Sequence, residues 1–174
     1  MSQLNQYGQP VGDALPDWQP RPFPERVTLE GQYCRLEPLR VEHAPALFAA
    51  HRLAGDGSSW TWLLREPEND AEAFAAWVTS VCELKDPLHF TVIDNRTQSP
   101  VGTLALMRID AAHGVVEVGS VHFSPLLMRT RASTEAQWLL MRYALETLGY
   151  RRYEWKCNSL NEPSRRAALR LGFQ

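Results

Sequence analysis

Between Leu88 and Phe123 three runs of strand character, Leu88 to Ile93, Val101 to Met107 and Val115 to Phe123, are separated by two turn-forming stretches, Asp94 to Pro100 and the neighbourhood of His113-Gly114. Strands joined by turns this short must run antiparallel, because a parallel return needs a crossover of a dozen or more residues. An antiparallel meander is therefore expected at the centre of the chain. Directly after it, Arg131 to Leu148 spaces Ala132, Ala136, Leu139, Leu140, Tyr143, Ala144 and Leu148 at the helical period, with Gly149 suited to the C-cap. A strand from Arg152 to Cys157 and an amphipathic helix from Glu162 to Leu171 follow. Ahead of the meander, Tyr33 to Pro38 alternates like a strand, and Arg40 to about Leu53 places Leu47, Phe48, Ala50 and His51 at helical spacing. Asn69-Asp70-Ala71-Glu72 announces a second helix, Asn69 as cap with Glu72 three residues on, and Phe74, Trp77, Val78 and Val81 fall on one of its faces. The order β-α-α-β-β-β-α-β-α is that of an α/β domain with a mixed, mostly antiparallel sheet flanked by helices.

At 174 residues the chain suits one domain with a tail, and with 44% hydrophobic residues it can bury a sizeable core. Residues 1–28 hold five of the twelve prolines and little apolar periodicity, so an extended arm, not a packed element, is expected there, with the domain proper over 29–174. A net charge of −2 provides no global field for nucleic acid or an anionic membrane, and any charged ligand needs a local site. Cys34, Cys82 and Cys157 are odd in number and lie in no metal-binding cluster, which reads as reduced thiols in a cytosol and no metal site. With neither a membrane span nor a signal peptide in its sequence, the chain reads as a soluble cytoplasmic protein.

The chemistry gathers where Phe123-Ser124-Pro125 ends a strand, Met128-Arg129-Thr130-Arg131 forms a basic loop, and Ser133-Thr134-Glu135-Ala136 opens a helix. Free N–H groups and the positive dipole end of a helix attract phosphate oxygens, and Arg129 and Arg131 add charge there. The plainer reading is a cap by Thr130 or Thr134, the latter boxed by Gln137, with both arginines solvated.

Read together, Glu117-Val118-Gly119, Arg129-Thr130-x-x-x-Thr134-Glu135-Ala136, Leu148-Gly149-Tyr150-Arg151-Arg152 and Asn161-x-x-Ser164-x-x-Ala167-x-x-x-Leu171-Gly172-Phe173 resemble the GNAT N-acetyltransferases from about Val27 onward. The match is closest to the branch that acetylates N-termini of ribosomal proteins, the RimJ/RimL-like enzymes. The resemblance implies acetyl-CoA as donor, a primary amine on a peptide or small molecule as acceptor, and direct attack in a ternary complex. It places the pantetheine against the backbone of Val121, His122 and Phe123 and against Asn161 and Ser164. It places the pyrophosphate on Met128, Arg129, Thr130, Arg131, Ala132, Ser133 and Thr134. Three departures stand out. The glycine and small residue of the family's phosphate loop are replaced by Arg131 and Ser133, and Ala168 stands where many members carry a tyrosine that protonates the thiolate.

An ammonium cannot attack a thioester, so a base is needed. Glu117, mid-strand beside Gly119, is the first candidate, and its alternative is an exposed strand residue opposite a basic one. His122 is the second, with an ordinary pKa near the working range, although a satisfied structural histidine is the commoner fate. Parity puts the two on opposite faces of a regular strand, and a bulge would change that. Ser164 is the candidate for the thiol side, and Asn161 is equally an N-cap. Trp60 and Trp62 wall an acceptor channel or sit in the core. Arg151, Arg152, Arg165, Arg166 and Arg170 form a basic cluster directed at the 3′-phosphate or merely solvated. A CoA-binding sensor or interaction module without turnover is the alternative function. The resemblance also implies further strands after Phe173, so a C-terminally incomplete domain is expected. Its open edge would be covered by a longer natural chain or by a partner, as in a homodimer.

Overall fold

The computed structural model describes residues 3–174. Six strands form one sheet in the order β3 (Leu29–Glu30), β4 (Cys34–Pro38), β5 (Leu88–Asp94), β6 (Ser99–Asp110), β7 (Val115–Phe123) and β8 (Arg152–Trp155). All neighbours are antiparallel except β7 and β8, which are joined through a helix and run parallel. The expected meander is β5-β6-β7, and β7 has the bounds that the sequence pattern gives. A further two-stranded hairpin, β1 (Gln3–Leu4) with β2 (Pro10–Val11), lies in the proline-rich segment.

Each face of the sheet is covered. On one, α3 (Arg131–Arg142) lays Ala132, Ala136, Leu139 and Leu140 over Leu36, Phe90, Leu104, Leu106 and Val118, all buried. After Arg142 the helix loosens into a π turn, Tyr143–Thr147, with Leu148 N–H donating to the Tyr143 carbonyl at 3.0 Å. Gly149 then takes φ +71°, the left-handed conformation that ends helices and that glycine adopts without a Cβ clash. The opposite face carries α1 (Ala44–Arg52) and α2 (Ala71–Val81), whose Leu47, Phe74 and Val78 are buried with Trp60. Asp70, one residue beyond the expected cap, accepts the Ala73 N–H at 2.8 Å and starts α2. The closing helix α4 (Glu162–Arg170) leads to Phe173, which packs on Tyr153 and Trp155 of β8.

The proline-rich segment corrects the expectation of an unpacked arm. Residues 12–28 carry no helix or strand, yet Pro24 is buried and Trp18 donates through Nε1 to the Ala112 carbonyl at 2.8 Å. Arg21 N–H meets the Ala111 carbonyl at 2.9 Å, Glu25 N–H meets the Tyr143 hydroxyl at 2.9 Å, and Tyr150 Oη–H reaches the Pro22 carbonyl at 3.1 Å. Proline has no N–H to donate, so the segment docks through its carbonyls, its side chains and the N–H groups of the residues between the prolines.

Candidate active site

Strands β7 and β8 pair over only four residues, Val115–Val118 against Arg152–Trp155. Beyond the Val118 and Trp155 pair they part, leaving the β8 side of residues 119–123 without a strand neighbour among the described residues. In the same stretch β7 bulges. Ala105 faces Gly119 and Thr103 faces His122, so three residues of β7 span two of β6, and Ser120 absorbs the excess at φ +49°. The extra residue resets parity: Glu117, Gly119 and His122 all share the α1/α2 face, where a regular strand would separate Glu117 from His122.

Glu117 is 4% exposed and is no solvent-facing strand residue. Its carboxylate accepts from Arg108 Nη1 at 2.6 Å and Lys156 Nζ at 2.8 Å, and both cations reach out to solvent. Two positive partners offset the cost of burying the charge. Lys156 lies one residue past the β7/β8 pairing, so this ion pair spans the two strands where they separate.

His122 is 4% exposed and stacks on His51 with ring centroids 3.7 Å apart, under Trp60 at 4.2 Å. Its Nε2 lies 3.4 Å from Ser59 Oγ, and its Nδ1 meets no partner among the described residues. Burial first, then His51 and the charge of Arg65, push its pKa down to about 2, so the ordinary working range expected for it does not survive folding. Burial and Arg65 likewise hold His51 and His89 down at about 4. Arg65 is wedged between Trp77 at 3.5 Å and Trp60 at 4.4 Å and paired with Glu68, so its charge is fixed beside the histidines. Trp60 is thus a wall over His122, while Trp62 is 43% exposed and does not join it. A cleft of about 300 Å³ opens beside this wall, lined by Phe48, His51, Trp60, Glu68, Asn69 and Phe74 among others. Ser59, His51 and Arg65 were not legible as site residues; only the fold brings them to His122.

On the other face, the loop that leaves β7 leads into α3, whose first turn lies over β4, where Cys34 Sγ donates to the Ala132 carbonyl at 3.4 Å. Thr130 caps the helix, accepting the Ser133 N–H at 3.2 Å and giving its own proton to the Leu127 carbonyl at 2.7 Å. Ser133 is buried and returns its proton to the Thr130 carbonyl, and Met128 N–H is taken by the Ser124 carbonyl. Those three polar groups are spent within the turn. Among the described residues the N–H groups of Arg131 and Ala132 have no acceptor, and Arg129, at φ +62°, stands exposed beside them. Arg131 leans on the Tyr33 ring at 5.7 Å, and Arg170 donates to Thr134 Oγ1 at 2.9 Å. The other members of the expected basic cluster disperse: Arg151 to the His113 carbonyl, Arg152 to Glu154, Arg165 to the Ser159 carbonyl and Arg166 towards Glu162. Asn161 caps α4, accepting the Ser164 N–H at 3.2 Å, and Ser164 Oγ accepts from Trp155 Nε1 at 2.9 Å.

Residues 34–174 fit the family described as acetyltransferase (GNAT) domain. This chain belongs to the GNAT acetyltransferases. A GCN5-related N-acetyltransferase from Brucella melitensis is 48% identical, with a TM-score of 0.89 over 92% of this chain and 73% of that one. A GNAT-family protein from Chromobacterium violaceum is 38% identical, with a TM-score of 0.85 over 95% and 83% of the two chains. A ribosomal-protein-S5-alanine acetyltransferase from Vibrio fischeri shares the fold at 16% identity, TM-score 0.64, over 85% and 83%. Among curated proteins none matches. GNAT membership makes the chain an acetyltransferase and implies acyl transfer from acetyl-CoA to an amine. No helix among the described residues is long and apolar enough to cross a membrane.

Proposed function

We propose that this chain moves an acetyl group from acetyl-CoA to a primary amine, on a protein N-terminus or a small molecule, by direct attack. The observation that carries the proposal is the parting of β7 and β8, with the loop that leaves the free end of β7 leading into the unpartnered N–H groups at the start of α3. The residues present fit the donor. Free backbone edges at Val121, His122 and Phe123 suit the pantetheine amides, and the start of α3 with Arg129, Arg131 and Thr134 suits the diphosphate. Replacing the family's small residues by Arg131 and Ser133 leaves the helix start intact, because a residue in ordinary helical conformation still presents its N–H. Acetyl-CoA supplies an activated thioester.

The residues of the chain then divide by face. The acceptor comes from the side of α1 and α2, where Trp60 and the adjoining cleft offer aromatic walls. Glu117 takes the amine proton, directly or through water. His122 cannot hold that proton near neutrality, so it serves as a neutral hydrogen-bond acceptor beside the amine. From the α3 and α4 side, Asn161 sets the first turn of α4 and Ser164 faces the sulfur. The Asn161 and Ser164 pair supports the ribosomal-protein N-terminal branch. Three free cysteines support a reducing, cytosolic setting.

The test is release of CoA thiol from acetyl-CoA with a panel of N-terminal peptides, amino acids, polyamines and aminoglycosides. Turnover with at least one amine is expected. Tight CoA binding with no turnover on any of them would favour a CoA-binding module instead.

A further inference from the structure

We propose that Trp155 is a positioning residue that turns the Ser164 hydroxyl into the proton donor for the departing sulfur. The inference rests on the acetyl-transfer reading above. Ser164 occupies the third position of α4 after the cap Asn161, and Ser133 occupies the same position of α3 after the cap Thr130. The two hydroxyls behave differently. Ser133 Oγ gives its proton back to the Thr130 carbonyl at 2.8 Å, as Thr79 and Ser80 do to carbonyls of α2. Such back-bonding is the ordinary fate of a helical hydroxyl. Ser164 instead accepts from the Trp155 indole at 2.9 Å, and among the described residues its proton goes to no acceptor.

A hydroxyl has one proton and two lone pairs, and an indole nitrogen only donates. Occupying one lone pair with N–H therefore directs the O–H elsewhere and polarises it towards donation. The indole is itself fixed. Trp155 is the last β8 residue paired with β7, opposite Val118, and its ring meets Phe173 edge-on with centroids 5.4 Å apart. Ser164 is thereby held where the strands part, on the face opposite Glu117 and His122. As the amine nitrogen bonds to the acetyl carbon and the C–S bond breaks, the electron pair stays on sulfur. Ser164 gives its proton to that sulfur as it takes one from water, and the proton that Glu117 accepted from the amine returns to solvent and neutralises the hydroxide left there. This supplies the proton that Ala168, in place of the family's tyrosine, cannot.

Trp155→Phe keeps the ring and the Phe173 contact but removes the N–H. Its kcat should fall about fivefold, the rate equivalent of one neutral hydrogen bond, with the KM for acetyl-CoA held and the melting temperature lowered by about 2–4 °C at most. In a Ser164→Ala background the same substitution should cost nothing further. A readout independent of turnover is the indole N–H resonance of Trp155 in the free protein, which should move when Ser164 is replaced by alanine. An unmoved resonance, or a W155F loss as large in the S164A background as in the wild type, would overturn the inference. Full activity of W155F beside a slow S164A overturns it alone, whereas full activity of S164A removes the proton-donor reading and this inference with it.

Discussion

Removing the carboxylate of Glu135 should loosen the link between α3 and the start of the sheet. Its Oε1 accepts the Gln32 N–H at 2.8 Å, and its Oε2 accepts the N–H groups of Tyr33 at 2.6 Å and Cys34 at 2.8 Å. One helical side chain thus satisfies the turn between β3 and β4. Hydrogen bonds to a charged group contribute about 1.5–3 kcal/mol each, and three sharing one partly exposed carboxylate should together contribute about 3 kcal/mol. At roughly 2–4 °C per kcal/mol for a chain of this size, Glu135→Ala should lower Tm by about 6–12 °C. Acid titration gives an independent check. Burial works to raise the Glu135 pKa, but the N–H groups of Cys34, Gln32 and Tyr33 outweigh it and hold the group below its ordinary 4.5. A carboxylate depressed in the folded state contributes its stability above the unfolded value, and that contribution fades as pH falls through the folded value. Glu135→Gln should therefore melt lower than wild type at neutral pH and converge towards it in acid. Thermal melts of the three proteins between neutrality and the acid limit decide the matter. A Glu135→Ala protein that melts within a degree of wild type, or a gap that stays constant down the acid limb, refutes the reasoning.

Four further outcomes are expected. An added Cβ at Gly31 meets the Cys34 carbonyl at 2.6 Å and the Glu135 carboxyl carbon at 2.6 Å, so Gly31→Ala should lower Tm by several degrees; Gly12→Ala, with nothing within 4 Å, should not lower it. By NMR, His51 and His89 should stay neutral until about pH 4; because their folded values lie below the ordinary 6.5, the stability they contribute is present above 6.5 and is lost on acidification. Arg129→Ala should weaken CoA several-fold in calorimetry and leave a pantetheine fragment that lacks the diphosphate unaffected, and equal losses for both would remove the phosphate role. Glu117→Gln should lower kcat with CoA affinity intact, most strongly at low pH, where the amine is protonated, and an unchanged pH–rate profile would exclude Glu117 as the base.

Local pattern settled much of this protein. The alternation and turn chemistry of 88–123 determined three antiparallel strands, since a two- to seven-residue turn permits nothing else. The 3.6 period from Arg131, with Thr130 before it and Gly149 after it, determined where α3 begins and where the chain turns out of it. The Asn161 cap was visible for the same reason, because capping acts within one turn. The helix start with its adjoining arginines was legible too, as were Glu117, His122 and Ser164 as reactive groups.

What each of those residues can do was decided by contacts that local sequence does not encode. The bulge at Ser120 carries no sequence signal of its own, yet that one extra residue puts His122 on the face of Glu117. Burial first holds the His122 imidazole neutral, and only the packing of the α1–α2 connection against β7 adds the charge of Arg65, 57 residues away by number, to that effect. Arg108 comes to Glu117 from β6 and Lys156 from just past the end of β8, and Trp155 comes to Ser164 from β8 into α4. The sequence by itself determined which secondary structures form and which reactive groups are present, because period, capping and turn formation are short-range. Charge state, hydrogen-bond direction and shared faces needed the tertiary structure, because desolvation and Coulomb interaction depend on distance in space and not along the chain.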